Sequence, residues 1–508
     1  MIALALVLAA TADAGLKPGL AAHAPEPVAA RAFAATTPLQ LLTLPSKTPI
    51  VSIRLVFKAG SVDDPKGKEG LTALTTRLIL EGGTEKLTGA QLREALFPMA
   101  GQIGGDTDKD LTAFAGRVHQ EKLDAFLALF SDVLLHPRFD PKELERLRDS
   151  ALNTVQVRLR QENDEELGKV SLDALLYAGH PYRHAVVGTA QGLKAITLDD
   201  VKAQAAKLFS QDRAVLGIAG PVDEALSAKV VAAFQGLPAK GAPVTELPKA
   251  SGIHGQSVIV QRDTLSTAGS FGFTWNLRRG DPDFFAVALA LSYLGEHRQQ
   301  HGVLFDELRE KRGLNYGTYS YPEHFRQEGG SMLPMVNSLR RQQDMTVWLR
   351  PVEPQNGAFA TRGATYFVNA LLTQPMPKDR FETARGFLIG ATRLREQKDQ
   401  RRLGQAIDDL LSGTPGFYEQ FRAALEKLTP EQVQAAAKKV LSIDRLNYVF
   451  VTKDADALKA AITSAGPNPI SYPSPKPKDV LDLDPALASQ PLPITSVTVL
   501  PASGVMEQ

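Results

Sequence analysis

One stretch of this chain occurs twice, and that repeat constrains the fold more than any other feature. Thr197-Leu198-Asp199-Asp200-Val201 through Asp212-Arg213 matches Thr429-Pro430-Glu431-Gln432-Val433 through Asp444-Arg445 at a constant offset of 232 residues, and a strand follows in both places. The correspondence is physical as well as literal. Thr197 and Thr429 are placed as helix N-caps, Gln432 completes a capping box, and Asp200 supplies an acidic variant of it. Leu198, Val201, Ala205, Leu208 and Phe209 correspond to Pro430, Val433, Ala437, Val440 and Leu441, the buried stripe of one helix in two copies. Such a chain folds as two homologous halves. At 508 residues and 44% hydrophobic content, it has the length and apolar material for two cores.

Each half mixes helices and strands. Val51, Ile53, Leu55 and Phe57 alternate with more polar neighbours over Ile50 to Lys58, a strand pattern. Gly70 to Leu80 has the length and periodicity of a short buried helix. Lys122 to Leu135 and Pro141 to Arg160 have helical spacing, with Pro141 at a favourable first-turn position. Leu237 to Pro243 and Pro248 are too rich in turn residues for a core and form the linker. The second half opens with strands around Val258 to Val260 and Ser270 to Leu277, the latter with Phe271, Phe273 and Trp275 on one face. An amphipathic helix over Asp281 to Leu294 packs on them. Pro467 to Lys478 carries five prolines and is extended. The expected divisions are 1–37, 38–237, 238–256, 257–475 and an extended tail over 476–508.

Composition excludes some function classes. Lys and Arg total 57 against 56 Asp and Glu, so no net charge draws the chain to nucleic acid or to a polybasic membrane contact. The absence of cysteine removes disulfides, thiolate metal sites and a cysteine nucleophile together. Residues 1–37 begin with an apolar segment too short to span a bilayer, followed by Ala12-Asp13-Ala14, an A-x-A pattern suited to signal cleavage. Export to a periplasm or the exterior is expected, although no positive charge precedes Lys17. No other stretch reaches the length of a membrane span.

Around Ala59 to Thr84 the chain resembles the pitrilysin/insulinase family of zinc metallopeptidases, in its short-subunit, processing-peptidase branch. There a Gly-Leu pair leads into His-x-x-Glu-His, and Gly70 and Leu71 are present here. On that frame the five motif positions are Ala73, Leu74, Thr75, Thr76 and Arg77. Two histidines four apart on a helix share a zinc ion, and the carboxylate between them takes a proton from bound water. Ala73 binds no metal, Thr76 has no useful basicity, and Arg77 puts a fixed positive charge where the cation would sit. The family's third ligand is a Glu roughly seventy to eighty residues further on; here no Glu lies between Glu145 and Glu162. Without the resemblance, Gly70 to Leu80 is simply a core helix.

Leu304 to Tyr316 carries the family's other signature, an Arg and a Tyr seven residues apart. Arg309 and Tyr316 match it. The resemblance implies that they hold the substrate backbone and the developing oxyanion, as donors that do not themselves react. Read alone, this run is a charged helix ending at a Gly cap. The resemblance further implies an α+β fold of two similar domains, each with helices on a mostly antiparallel sheet and related by a pseudo-two-fold duplication. The first would be a peptidase-like domain with a degenerate zinc motif, and the second would bear the Arg/Tyr pair. In this branch two such chains enclose a chamber for extended or unfolded peptides, which add a strand to a sheet edge.

The leading expectation is therefore a non-catalytic, substrate-binding subunit of a heteromeric peptidase. It binds no cofactor itself, donates Arg309 and Tyr316, and leaves zinc to a homologous partner subunit or a second copy. One alternative is an active enzyme with a relocated zinc site at His297 and His301, which share a face if Glu296 to His301 is helical and do not if it is a loop. Another is a non-proteolytic assembly or binding scaffold of the same fold. His180 and His184 are also four apart, but Pro181 argues against one helix through them.

Overall fold

The computed structural model describes residues 31–32, 39–296, 299–329 and 333–508; the expected export segment and His297 lie outside the described residues. The fold is α+β, built on two six-stranded sheets. The first contains β1 (Arg31–Ala32), β2 (Gln40–Pro45), β3 (Ile50–Phe57), β4 (Gln102–Thr107), β5 (Thr112–His119) and β6 (Ala214–Gly220), in spatial order β1-β2-β6-β3-β5-β4. The second contains β7 (Gln256–Gln261), β8 (Thr267–Trp275), β9 (Thr318–Tyr321), β10 (Gln343–Val352), β11 (Asn447–Thr452) and β12 (Ser496–Pro501), in order β12-β7-β11-β8-β10-β9. Five strands of each sheet occupy the same places in the same order along the chain; only the outermost, β1 and β12, differ. The pairing is mostly antiparallel. β2 runs parallel to β6, and β7 parallel to both β11 and β12.

Eight helices position the site and join the halves: α1 (Leu71–Glu81), α2 (Pro141–Asn153), α3 (Asp164–Leu176), α4 (Leu198–Leu208), α5 (Phe284–Gly295), α6 (Asp399–Ser412), α7 (Pro430–Val440) and α8 (Lys478–Ser489). The repeated helices α4 and α7 both start in capping boxes. The Thr197 hydroxyl accepts from the Asp200 amide at 3.2 Å while the Asp200 carboxylate accepts from the Thr197 amide at 2.8 Å. Thr429 and Gln432 do the same at 3.3 and 2.9 Å. Val201 and Phe209 are buried, as are their counterparts Val433 and Leu441; Leu208 is buried and its counterpart Val440 partly so. The helix expected over Pro141 to Arg160 changes winding at Thr154, where the hydroxyl bonds the Ser150 carbonyl at 3.0 Å, and continues as a wider π-helical segment over Thr154–Glu162.

The two halves exchange helices across the middle of the molecule. α3, from the first half, packs on β8 and β11 of the second sheet, where Leu167, Leu172 and Leu176 join Val260, Ala268, Val449 and Val451. α6, from the second half, covers β2, β3 and β6, with Leu403 and Ile407 against Leu42, Leu44, Val56, Val215 and Ala219. Gly217 of β6 makes this approach possible, because a Cβ there would lie 2.8 Å from Ile407 Cδ1 and 2.9 Å from Leu403 Cδ1. The exchange explains an oddity of β3. Val51, Ile53, Leu55 and Phe57 face the first core, but Ser52 and Arg54 are buried as well, on the face that Val56 presents to α6, with Arg54 donating to Asn337 at 2.7 Å.

The extended tail expected over 476–508 is corrected. After an irregular stretch, α8 forms with Val480, Leu487 and Ala488 buried, and β12 then adds to β7. Its polar residues and Pro485 mask a short apolar stripe, which is why the segment reads as a tail. Beyond β12 the chain crosses back to the first half. The Val505 carbonyl accepts from Arg160 Nε at 2.8 Å, and the Met506 and Glu507 carbonyls accept from the Ala190 and Gln191 amides at 2.8 and 3.0 Å.

Candidate functional site

α1 begins at a residue that must be glycine. Gly70 has φ +102°, and a Cβ there would sit 2.7 Å from the Val187 carbonyl oxygen. Asp64 secures the helix start, accepting from the Gly70 and Thr72 amides at 2.8 and 2.7 Å and from the Thr72 hydroxyl at 2.6 Å. His184 serves this cap, with Nε2 3.2 Å from Asp64 Oδ2, and His180 Nδ1 accepts from the Tyr182 amide at 3.0 Å. Both histidines are thus engaged in local structure.

Ala73, Thr76 and Arg77 share the face of α1 that lines a cavity of about 990 Å3 between the halves. The Thr76 hydroxyl donates to the Thr72 carbonyl at 3.0 Å and accepts from Thr107 at 2.9 Å. Arg77 Nε lies 3.1 Å from Glu81, which Arg146 engages from the other side at 2.9 Å. Burial alone would raise the Glu81 carboxyl; Arg146 and Arg77 hold it below its ordinary value. A methyl, a committed hydroxyl and a paired guanidinium do not fit a zinc ion, so no chemistry is routed through a metal here. Glu162 is exposed and does not line the cavity. Among the described residues no group of three His, Asp or Glu side chains is placed to hold a metal.

The remaining walls come from both halves. β4 is the last strand of the first sheet among the described residues, and Ile103 to Lys109 line the cavity. α3 contributes Glu166, Lys169 and Asp173; opposite stand Tyr319, His324, Arg326, Arg340, Asp344 and Trp348 of the second half. The hairpin between β4 and β5 joins the walls. Buried Asp108 lies 3.1 Å from Arg340 and 3.2 Å from His324, and Arg326 Nη2 donates to Asp106 at 3.0 Å. Burial raises the Asp108 carboxyl, but Arg340, His324 and Arg326 together hold it well below its ordinary range. Burial and then Arg340 push the Lys109 ammonium down to about 8; it donates to the Tyr182 carbonyl at 2.8 Å and to that of His184. Asp110 closes the set, accepting from Arg341 Nη2 at 2.8 Å.

Sequence reasoning missed this cluster. Asp106, Asp108 and Asp110 alternate at a hairpin, and Arg340-Arg341 adjoin β10. Charges of both signs in short runs ordinarily read as a solvated surface, and their mutual approach depends on how the halves dock.

Arg309 and Tyr316 come together, but neither lines the cavity. Arg309 lies on a π-helical segment, Phe305–Lys311, with its guanidinium 4.7 Å from the Tyr316 ring centroid and 4.5 Å from that of Phe305. Arg350, unforeseen in the sequence, stands 5.0 Å from the same Tyr316 ring and pairs with Glu165 at 2.9 Å. Tyr316 is 53% exposed, and neither it nor Arg309 lines the cavity. α5 ends at Gly295, and His301 lies in a turn beyond it, with Nε2 3.3 Å from the Ser292 hydroxyl and its ring tilted against Phe387 at 4.5 Å between centroids. The helix thus ends before His297, which lies outside the described residues.

Both halves of the chain are similar to known proteins. Residues 41–190 match the family model described as Insulinase (Peptidase family M16), and residues 195–333 match Peptidase M16 inactive domain. A Bacillus subtilis protein called an uncharacterized zinc protease is 22% identical over 55% of this chain and 66% of its own length. A Helicobacter pylori protein called a non-peptidase homolog is 22% identical over 80% of this chain and 89% of its own. Among solved structures, a Pseudomonas fluorescens peptidase M16 inactive domain superposes with TM-score 0.74 at 23% identity, covering 84% of this chain and 98% of that one. A chain of Complex III2 from Candida albicans gives TM-score 0.66 at 12% identity, covering 84% and 97%.

Proposed function

The chain belongs to the insulinase (M16) peptidase family and lacks that family's zinc motif, and from this premise we propose that it is the non-catalytic, substrate-binding subunit of a heteromeric zinc peptidase. Its substrates would be extended or unfolded peptides. The partner, a homologous subunit or a second copy, would carry zinc and the general base, and this chain would contribute Arg309 and Tyr316. The observation that carries the reading is the placement of that pair: at the surface, outside the chain's own cavity, with Tyr316 half exposed. A guanidinium and a half-exposed phenol so placed would be within reach of a site on a partner. The cavity would contribute binding. The outer edge of β4 offers main-chain hydrogen bonds to an added strand, so affinity would depend little on peptide sequence. Export, expected from Ala12-Asp13-Ala14, belongs to the same proposal, and N-terminal sequencing of the protein from its host tests it.

The test begins with mild isolation from the native host and identification of what accompanies the chain. With the zinc-bearing partner in hand, Arg309→Ala or Tyr316→Phe should lower peptide turnover by the complex about 10²–10³-fold, the usual cost of removing an oxyanion donor, with zinc content unchanged. Turnover at the wild-type rate in both variants would defeat the donor role. A stoichiometric zinc in the isolated chain would instead favour the relocated site. The mark of the scaffold reading would be a stable assembly without peptide hydrolysis.

A further inference from the structure

A second cavity, of about 350 Å3, opens where the end of β3 and the residues after β8 meet the linker and the C-terminal end of α6. Five cations line it: Lys58 from the first half, and Arg278, Arg279, Arg340 and Arg341 from the second. Only Asp110 and Glu323 oppose them, and both are committed. Asp110 accepts from Arg341 Nε and Nη2 at 3.0 and 2.8 Å. Glu323 accepts from Arg279 Nε and Nη2 at 3.0 and 2.7 Å. Arg340 is balanced from the neighbouring cavity by Asp108 at 3.1 Å, which leaves Lys58 and Arg278 without a side-chain partner among the described residues.

Exposed cations alone are ordinarily just solvated. The buried arginines beside them make this pocket different. Arg279 Nη1 and Arg340 Nε are buried with no acceptor, whereas Arg340 Nη1 faces Asp173 of the neighbouring cavity at 3.8 Å. Neither guanidinium is positioned to turn toward water: Arg279 stacks on the Phe417 ring at 4.4 Å, and Arg340 is 8% exposed. A buried charged donor without an acceptor is costly, and a planar fork of N–H groups suits the oxygens of an anion. Leu111, Val244 and Leu411 add apolar wall.

We infer that this cavity binds an oxyanion carried on a small apolar body, and that the ligand braces the two halves and the linker against one another. The inference is independent of the peptidase reading. Its test is calorimetric titration of the full chain with phenyl phosphate, with benzoate and with inorganic phosphate, chloride holding the ionic strength constant. Saturable one-site binding of at least one of them is expected, with a higher melting temperature in its presence. Lys58→Gln combined with Arg278→Gln should weaken that binding at least tenfold, while circular dichroism and melting in chloride stay as in the wild type. Preference for phenyl phosphate would identify a phosphoryl head group and preference for benzoate a carboxylate, and either supports the site. No saturable heat from any of the three, or equal affinity in the double variant, would overturn it.

Discussion

At Arg77 one side chain decides what the first-half site is unable to do. Its guanidinium occupies the second histidine position of a zinc helix and is held there by Glu81, itself shared with Arg146. Restoring a ligand at one position is therefore not enough. Ala73→His should take up no zinc by calorimetry or by metal analysis after dialysis, because the incoming cation meets a fixed charge and finds one imidazole. Ala73→His with Arg77→His should bind weakly but measurably, two imidazoles four apart being a partial site. Zinc bound tightly by the single variant would show that Arg77 is no obstacle. This much was legible in the sequence, because a helix of known register fixes which residues share a face. The cluster of Asp106, Asp108 and Asp110 with Arg326, Arg340 and Arg341 was not, since no local periodicity reports which distant charge will arrive.

For single elements the exchanged helix α6 is the most exacting, and it supports two predictions. Gly217→Val places methyl groups against Leu403 and Ile407 where no space exists and should destabilise the protein by about 1–3 kcal/mol in denaturant unfolding. Adding Leu403→Ala should recover part of that loss; a double variant no better than the sum of its singles would mean that β6 and α6 do not meet as described. The second concerns Asp408, buried on α6 and accepting from the Asn337 amide and side chain, both at 3.0 Å. Burial raises its carboxyl to about 6 from 3.8, against the opposing pull of Arg279 and of Asn337. The folded protein thus holds this proton more tightly than the unfolded chain. The resulting stabilisation is full below about pH 4 and is lost as pH rises through about 6. Relative to Asp408→Asn, the wild type should lose up to roughly 3 kcal/mol between pH 4 and pH 7. Parallel stability curves would refute this. The repeat in the sequence announced two halves and the capping boxes of α4 and α7, but not that α3 and α6 cross over. A helix stripe says that a face is buried without saying against which sheet.

Across the whole molecule the halves are tied by three kinds of contact, namely the exchanged helices, the buried charges around Asp108, and the C-terminal residues beyond β12. The last is separable. No residue of 476–508 lines the large cavity, yet Val505 is buried beside Val62 and Leu167, Arg160 reaches both the Val505 carbonyl and the Glu507 carboxylate at 2.8 Å, and two amides at 190–191 are satisfied by the terminal carbonyls. Removing residues 502–508 leaves β12 paired but strips these groups. Burial of one valine is worth about 1.5–3 kcal/mol, and the buried Arg160 guanidinium, losing Glu507 and the Val505 carbonyl, is opened to water where the terminus is removed, so the global fold should survive. The local effect should be large, because Ala190 and Gln191 lose their only acceptors among the described backbone bonds. Hydrogen exchange at these amides and along Thr154–Glu162 should accelerate at least tenfold, while exchange in β3 and β5 stays unchanged. Equal acceleration everywhere would mean that the terminus supports global stability rather than bracing one seam, and no acceleration at 190–191 would mean that it does not hold the halves at all. Because the segment touches the first half only after the second is complete, it acts as the final fastening of a duplicated fold.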